Sequence, residues 1–350
     1  MKAGQPKSWS VFLKKMEFYT QIIDTIYENF FDPKKRVFVG YLFSAILIAF
    51  AWLSFVKKKT LKESFYKIFD KKIFLSKSAK ADYILFIINI IILMFLSPIL
   101  ITQLAIATVV FEYLHSQTFL IPIDTNLQYV WLIPYFFTIT YFVMDDLTKF
   151  ITHALMHKIP LLWEIHKTHH SARTLTPITI FRTHPLEGVI FVTRSALTQG
   201  VVIALFFYVY GNNITFITIL GANLLSFWFH LLGSNLRHSH IWINYWNWLE
   251  KIFISPAQHQ IHHSIKKEHH NKNFGVTFAI WDYVFGTLCT SRDNEVSKFG
   301  ITENEHKYEQ NIFYLYVSPF VGTYKIISKY ILSILQKLNK QTLITKKLIR

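Results

Sequence analysis

The chain contains a single cysteine, Cys289, in 350 residues, so it can form neither an internal disulfide nor a cysteine-based metal site. Acidic residues are also scarce, 21 Asp and Glu against 37 Lys and Arg, for a formal net charge of +16. Such an excess can serve nucleic acid, but these lysines crowd beside apolar runs, where the expected partner is an anionic lipid leaflet. Nucleic acid is not an expected partner. The N-terminal stretch has no short apolar core followed by a small-residue cleavage site, so no signal peptide is expected. Neither an internal repeat nor a low-complexity domain is visible.

Apolar residues, in contrast, make up 52% of the chain and aromatics 17%, too many for an ordinary soluble domain. From Val37 to Val56 the sequence is uncharged, and a helix of that length, about 30 Å, spans a bilayer core. Lys57, Lys58, Lys59, Lys62, Lys67, Lys71, Lys72, Lys77 and Lys80 then face only Glu63 and Asp70, which marks the segment as cytoplasmic by the positive-inside rule. Tyr83 to Glu112 reads as one tilted crossing kinked at Ser97-Pro98, with a short hairpin as the alternative. His115 to Asn126 has the charge pattern of an external loop.

Gln128 to Met144 is expected to return and to continue as helix beyond its apolar part. Gly188–Tyr210 and Ile214–Leu232 read as two further spans joined by Gly211-Asn212-Asn213, with Arg194 near the cytoplasmic interface or a bound polar group. The count is five crossings. Residues 9–31 read as an amphipathic helix, interfacial or packed on the protein, and Tyr308 to Arg350 as interfacial helices with a basic tail. The expected fold class is all-α, a polytopic membrane helical bundle. Its expected divisions are 1–36 interfacial, 37–140 transmembrane, 141–289 catalytic, and 290–350 interfacial helices and tail.

Histidine is the residue whose placement carries chemistry. His153 and His157 are four apart, and His166, His169 and His170 repeat the i, i+3, i+4 geometry, so each group shares a helical face. His259, His262 and His263 form a third box far downstream. Eight imidazoles without thiolate or carboxylate suit iron, zinc or copper and exceed the needs of one ion, so two metals are implied. An even number of crossings between the second and third boxes would let all of them meet on one side of the membrane. Asp146, seven residues before His153, is a candidate catalytic-site residue, an acceptor that fixes an imidazole tautomer.

The stretches D-D-L-T-K-F-I-T-H-A-L-M-H-K-I-P-L-L-W-E-I-H-K-T-H-H-S, R-T-H-P-L-E, S-P-A-Q-H-Q-I-H-H-S and N-F-G-V-T-F-A-I-W-D-Y-V-F-G-T resemble the sterol desaturase branch of the fatty acid hydroxylase superfamily. The resemblance runs over about residues 141 to 289 and includes Asn273, Gly275, Trp281, Asp282, Gly286 and Thr287. It implies two iron ions that activate O2, electrons from a separate reductase, and hydroxylation or desaturation of a membrane lipid: sterol-like, acyl or isoprenoid. The implied ligands are His153, His157, His166, His169, His170, His259, His262 and His263. A further histidine stands about twenty residues before the last box in this family. His238 fits that place, with His230 and His240 as competitors. His184 of H-P-L-E matches a recurrent position without an assigned role, and His115, His269, His270 and His306 read as solvated or structural. No haem-binding cytochrome b5 domain is recognisable. The resemblance and topology together imply a multi-pass protein of a bacterial inner membrane or the endoplasmic reticulum, with its boxes on the cytoplasmic side. A metal transporter, or a zinc-bound or metal-free relative that only binds lipid, is the competing reading.

Overall fold

The computed structural model describes residues 7–117, 129–220, 222–292, 294–302 and 310–348. Most of the expected external loop, from residue 118 onward, and His306 lie outside them. The helices in chain order are α1 (Lys7–Phe31), α2 (Val39–Ala51), α3 (Leu61–Ile68), α4 (Lys71–Phe74), α5 (Lys77–Leu96), α6 (Gln103–Ser116), α7 (Ile133–Lys158), α8 (Pro160–His170), α9 (Pro185–Tyr210), α10 (Leu224–Leu231), α11 (Pro256–His262), α12 (Ile280–Val284) and α13 (Ile312–Leu348). The all-α expectation holds, apart from a two-residue strand pair, β1 (Thr218–Ile219) with β2 (Ala222–Asn223). Among the described residues, four helical segments are long and apolar enough to cross a membrane: Val39–Val56, Lys77–Ser116, Val130–Lys158 and Pro185–Tyr210.

The second segment is one kinked path. Proline cannot continue the helical ladder, so α5 ends in a 3-10 turn at Ser97–Ile99 before α6 resumes. A Cβ built on Gly188 would stand 3.8 Å from Leu93, one on Gly200 would come 2.7 Å from the Gln103 carbonyl, and Phe111 packs on Phe207 at 5.3 Å. Residues 93, 103 and 111 therefore meet 188, 200 and 207 in the same order. The two strands of the path run side by side in one direction, which a hairpin would not do. Glycine at 200 permits this close approach.

The neighbouring α7 runs opposite to α9. Phe137 meets Phe206 at 5.0 Å near one end, and Arg194 reaches the Asp145 carboxylate at 2.9 Å and the Thr148 hydroxyl at 2.8 Å toward the other. The charge that interrupts the fourth span is thus answered inside the bundle.

The expected fifth span is not a helix. Residues 214–219, Ile-Thr-Phe-Ile-Thr-Ile, are largely β-branched and favour extended backbone, and they lead into the strand pair rather than into a helical turn. Asn223 then caps α10, its side chain accepting from Leu225 N and Ser226 N. The return path nevertheless exists. Phe216 packs on Phe137 at 4.6 Å and Ile217 N donates to the Thr138 hydroxyl at 3.1 Å, and from there the chain descends past α10 to Arg237 and His238.

Two other elements differ from or refine the expectations. The C-terminal region is one helix, α13, with Pro319 inside it. Pro319 has no N–H for the Leu315 carbonyl, and that carbonyl instead accepts from the Thr168 hydroxyl at 3.4 Å, which ties α13 to α8. In α1, Phe18 and Phe30 pack on Phe95 and Phe86 of α5, while Leu13, Met16, Tyr19, Ile23 and Tyr27 stay exposed. Spaced at three to four residues, those exposed apolar side chains form the face of an interfacial helix. The helix is both packed and exposed.

A buried ion pair fastens these parts to the region of the second histidine box. Arg182 is fully buried, its guanidinium 2.8 Å from Asp82 of α5, 2.9 Å from the Ser171 hydroxyl and 2.8 Å from Gln310. Asp82 also accepts from Thr179 at 2.7 Å. Asp82→Ala leaves the guanidinium enclosed without its counter-charge, and the expected loss is about 3–5 kcal/mol. Thermal or denaturant unfolding in detergent reads it, and a loss below about 1 kcal/mol would contradict the assigned clamp.

Candidate metal centre

Proline and capping residues decide where the boxes point. His153 and His157 lie in the last turns of α7, which runs unbroken from Ile133 to Lys158 as expected. Ile159 takes an extended conformation ahead of Pro160, the first residue of α8. A residue before proline is held out of the helical region and proline suits the first helical turn, so α8 folds back and presents His166, His169 and His170 to the same space. The third box sits on α11, whose start is a capping box: Ser255 Oγ accepts from Gln258 N at 3.1 Å and Gln258 Oε1 from Ser255 N at 2.9 Å.

All nine histidines singled out as candidate ligands come together, in two groups. His153, His157, His166, His170 and His262 form one, and His169, His238, His259 and His263 the other, with the potential ligand atoms of each group within 4.8 Å of one another. Eight of the nine are buried and His157 is half-buried. The groups are adjacent, since the His170 and His263 rings stack with centroids 4.5 Å apart. Adjacent residues on a helix point about 100° apart, which is how His169 serves one group while His170 serves the other.

Carbonyl oxygens fix several tautomers, because a carbonyl can only accept. His153 Nδ1 donates to Phe274 O at 2.8 Å, His262 Nδ1 to Lys272 O at 2.8 Å and His169 Nδ1 to Arg182 O at 3.3 Å. His166 Nδ1 bonds the buried Glu187 carboxylate at 2.9 Å. The Nε2 atoms of those four rings are left as lone-pair donors. In His157, His166, His170 and His262 Nε2 is buried without a hydrogen-bond partner, and His238, His259 and His263 also carry unpartnered ring nitrogens. In the second group His238 Nε2 lies 3.3 Å from His169 Nε2 and 3.0 Å from His259 Nε2. Two nitrogens bound to one ion at about 2.0–2.1 Å have this separation.

Burial, followed by the neighbouring imidazoles and nearby arginines, holds His169, His170, His238, His259 and His263 well below the ordinary histidine pKa. For His262 burial lowers it to about 3. These imidazoles are neutral at physiological pH, the form that ligates metal. Both groups could hold a metal ion.

His230 and His240 do not join the groups: His230 Nδ1 meets the Ser234 hydroxyl at 2.8 Å and His240 Nε2 donates to Lys67 O at 2.6 Å. His184 caps α9 by accepting from Leu186 N and donates from Nε2 to Tyr316 O at 3.2 Å. His115 bonds Phe111 O within its own helix, while His269 is buried and His270 exposed.

Asp146 has a different place from the one expected. Its carboxylate accepts from Thr277 N at 2.9 Å, Phe278 N at 3.1 Å and Trp281 Nε1 at 3.0 Å, and it makes no bond to an imidazole. The helical projection that put Asp146 and His153 on one face was sound, but the backbone N–H groups of the 277–281 turn lie closer. Glu187 is the carboxylate that orients a ring, and it was missed. It stands within the quoted R-T-H-P-L-E, three residues after His184, yet only folding reveals that α9 starts beside His166.

The other motif residues build the turn that supplies the carbonyls. Asp282 accepts from Phe274 N at 2.8 Å, Gly275 N at 2.7 Å and the Thr287 hydroxyl at 2.6 Å. Asn273 bonds Gln258 O and both backbone groups of Cys289. At Gly275 a Cβ would come 2.5 Å from Phe278 O, so a larger residue would open the turn.

A cavity of about 470 Å³ reaches both histidine groups, with Phe142, Ile180, Phe191, Val192 and Phe229 among its walls. It adjoins an apolar chamber of about 570 Å³ through the shared residues Phe142, Phe229, Arg237 and Thr277. On the other side of the five-histidine group, His157, His170 and His262 line a further opening of about 340 Å³ beside Trp163.

Residues 138–287 match the family model described as fatty acid hydroxylase. This segment belongs to the fatty acid hydroxylase superfamily. The match is at the level of the superfamily and does not single out its sterol desaturase branch. The hydroxylase segment contains every histidine of both groups. The chain is 28% identical over 172 residues to alkylglycerol monooxygenase of Homo sapiens, covering 48% of this chain and 34% of that protein. It is 20% identical over 166 residues to alkylglycerol monooxygenase of Caenorhabditis elegans, covering 47% and 30%. With very-long-chain aldehyde decarbonylase GL1-9 of Oryza sativa subsp. indica it shares 29% over 155 residues, 43% and 53%. The chain thus spans about a third of the length of the alkylglycerol monooxygenases it matches. No solved structure matches it.

Glu187→Gln keeps the shape of the His166 partner but removes its charge. Outer partners of this kind typically contribute about 10- to 100-fold in metal affinity, so a loss of that size is expected in a chelator competition assay, while Gln199→Glu, on the far side of Asp145, should leave affinity unchanged. Unaltered affinity in Glu187→Gln would remove the carboxylate from the centre.

Proposed function

We propose that the protein is a membrane-bound, O2-dependent di-iron oxidoreductase acting on a lipid, with His153, His157, His166, His170 and His262 holding one ion and His169, His238, His259 and His263 the other. The observation that carries this reading is the pair of largely buried imidazole groups facing a cavity that continues into an apolar chamber. Bound iron supplies the redox chemistry with O2 that no side chain offers. The protein's own residues fix the ring tautomers through Phe274 O, Lys272 O, Arg182 O and Glu187, exclude water around the ligands, and hold the apolar body of the substrate beside them. In the hydroxylation reading, favoured by similarity to proteins named alkylglycerol monooxygenase, one C–H bond, O2, two electrons and two protons yield an alcohol and water. Desaturation takes two adjacent C–H bonds with the same O2, electrons and protons to yield an alkene and two waters. The electrons come from a separate reductase.

The centre faces the cytoplasm in this reading. The lysine-rich segment and the boxes lie on the same side of the molecule: His240 bonds Lys67 O, and the Ser76 and Thr174 hydroxyls are 2.8 Å apart. The positive-inside rule assigns that side to the cytoplasm. A metal transporter is disfavoured because transport sites lie at the bilayer midplane between discontinuous helices, whereas the box histidines sit in the last turns of α7 and of the short helices α8 and α11.

Protein purified anaerobically is expected to contain about two metal ions per chain, as two separate ligand groups require, and His170→Ala or His263→Ala should lower metal content and lipid oxidation together. Folded protein with one ion or none would refute the two-metal reading. Expressed with a compatible reductase under 18O-labelled O2, the chain should give a lipid product that carries the label or has lost two hydrogens. New oxygen drawn only from water would exclude the oxidase.

A further inference from the structure

One charged group beside the histidines, half-buried, is answered by nothing among the described residues. Arg36 lies on the loop before α2, outside the matched segment 138–287. The loop is held firmly: Tyr41 donates to Pro33 O at 2.7 Å, Asn235 donates to Arg36 O at 3.0 Å, and Val37 is fully buried. The Arg36 side chain lines the 470 Å³ cavity. Its Nε is enclosed without a partner, and among the described residues its guanidinium makes neither an ion pair nor a hydrogen bond.

The other charged groups around the cavity are engaged. Lys149 pairs with Asp145, which also meets Arg194. Arg237 donates to the Ser234 and Val276 carbonyls and lies 4.9 Å over the Phe229 ring. Asp146 accepts its three N–H groups and Glu187 orients His166. Burial, and then the like charge of Arg237, push the Arg36 pKa well down. A guanidinium nonetheless stays protonated, and removing it from water without a counter-charge is costly. Arg36 lines the same cavity as His169, His238 and His259 of the four-histidine group.

We infer that Arg36 binds the oxyanion of an anionic lipid headgroup, carboxylate or phosphate, while the lipid's apolar chain occupies the adjoining 570 Å³ chamber. The inference rests on reading the cavity as the substrate's chamber. The planar guanidinium fork matches both oxyanions and supplies two parallel charge-assisted hydrogen bonds. The chamber offers Ile139, Val143, Leu225, Trp228, Leu232 and Phe253 to an alkyl chain, reached past Phe142 and Phe229.

The test is equilibrium binding of radiolabelled hexadecanoate, hexadecyl phosphate and hexadecanol to the full chain in nanodiscs of neutral phosphatidylcholine, without reductant. Both anions should bind at least about tenfold more tightly than the alcohol, the scale of a charge-assisted hydrogen bond. Arg36→Gln should remove that preference and leave hexadecanol binding unchanged, and Arg36→Lys should retain part of it. Equal binding of alcohol and anions by the native protein, or an intact preference in Arg36→Gln, overturns the assignment. Displacement of hexadecyl phosphate by an equal concentration of inorganic phosphate overturns the lipid source in favour of a free anion. If Arg36→Gln does not fold, hexadecyl phosphate carrying a diazirine near its head decides on the native protein. Crosslinks to residues 33–38 or 226–238 support the site, and crosslinks elsewhere alone refute it. No electrons or O2 enter these measurements, so a protein that shows the preference but oxidises no lipid sinks the oxidase reading and leaves the headgroup site standing.

Discussion

The structure depends on bringing nine imidazoles together, eight of them buried and His157 half-buried, with their potential ligand nitrogens in two tight groups. Five of them, His157, His166, His170, His262 and His263, have a buried Nε2 without a hydrogen-bond partner. Each such group costs about 1–3 kcal/mol, a sum no fold carries without compensation. Metal ligation is compensation of the right size, since a well-formed site of nitrogen ligands gains on the order of 10 kcal/mol per ion. The same burial keeps the rings deprotonated, so the property that makes the centre costly when empty makes it a ligand set when filled.

Around that centre, the surrounding residues serve to orient donors. A ring nitrogen points where its other nitrogen is anchored, and the anchors are mostly backbone carbonyls. Carbonyls are only as fixed as their turns. Asp282, Asn273 and Gly275 hold the turn that carries Phe274 O and Lys272 O, while Asp146 holds the following one. On the other side Arg182 lends its carbonyl to His169 and its guanidinium to Asp82. Two long pieces of the bundle, α5 with α6 and α9, are thereby joined to the boxes through buried polar contacts rather than apolar packing alone.

The membrane-facing part solves a different problem. Lipid offers no hydrogen bonds, so the long segments are helices, and the one irregular return, residues 214–223, is paired with itself and with Thr138. That return leaves α10 short and the space between α7 and α10 open. The chamber lies there, between the bilayer-facing helices and the histidines.

Much was legible in the sequence because it is encoded locally. Helical spacing put His153 with His157 and His166 with His169 and His170, and the Ser97-Pro98 step located the kink. Both follow from backbone geometry within a few residues, whereas the capped start of α11 at Ser255 came from the structure. The missing fifth helix marks where local reasoning stops: residues 214–232 are apolar enough to span, but β-branching and contacts with α7 chose another path. Tertiary structure alone decided how nine histidines divide into groups of five and four, that His238 rather than His230 or His240 joins them, and that Glu187 rather than Asp146 orients a ring. These are matters of distance between segments tens to a hundred residues apart, which composition and periodicity do not contain.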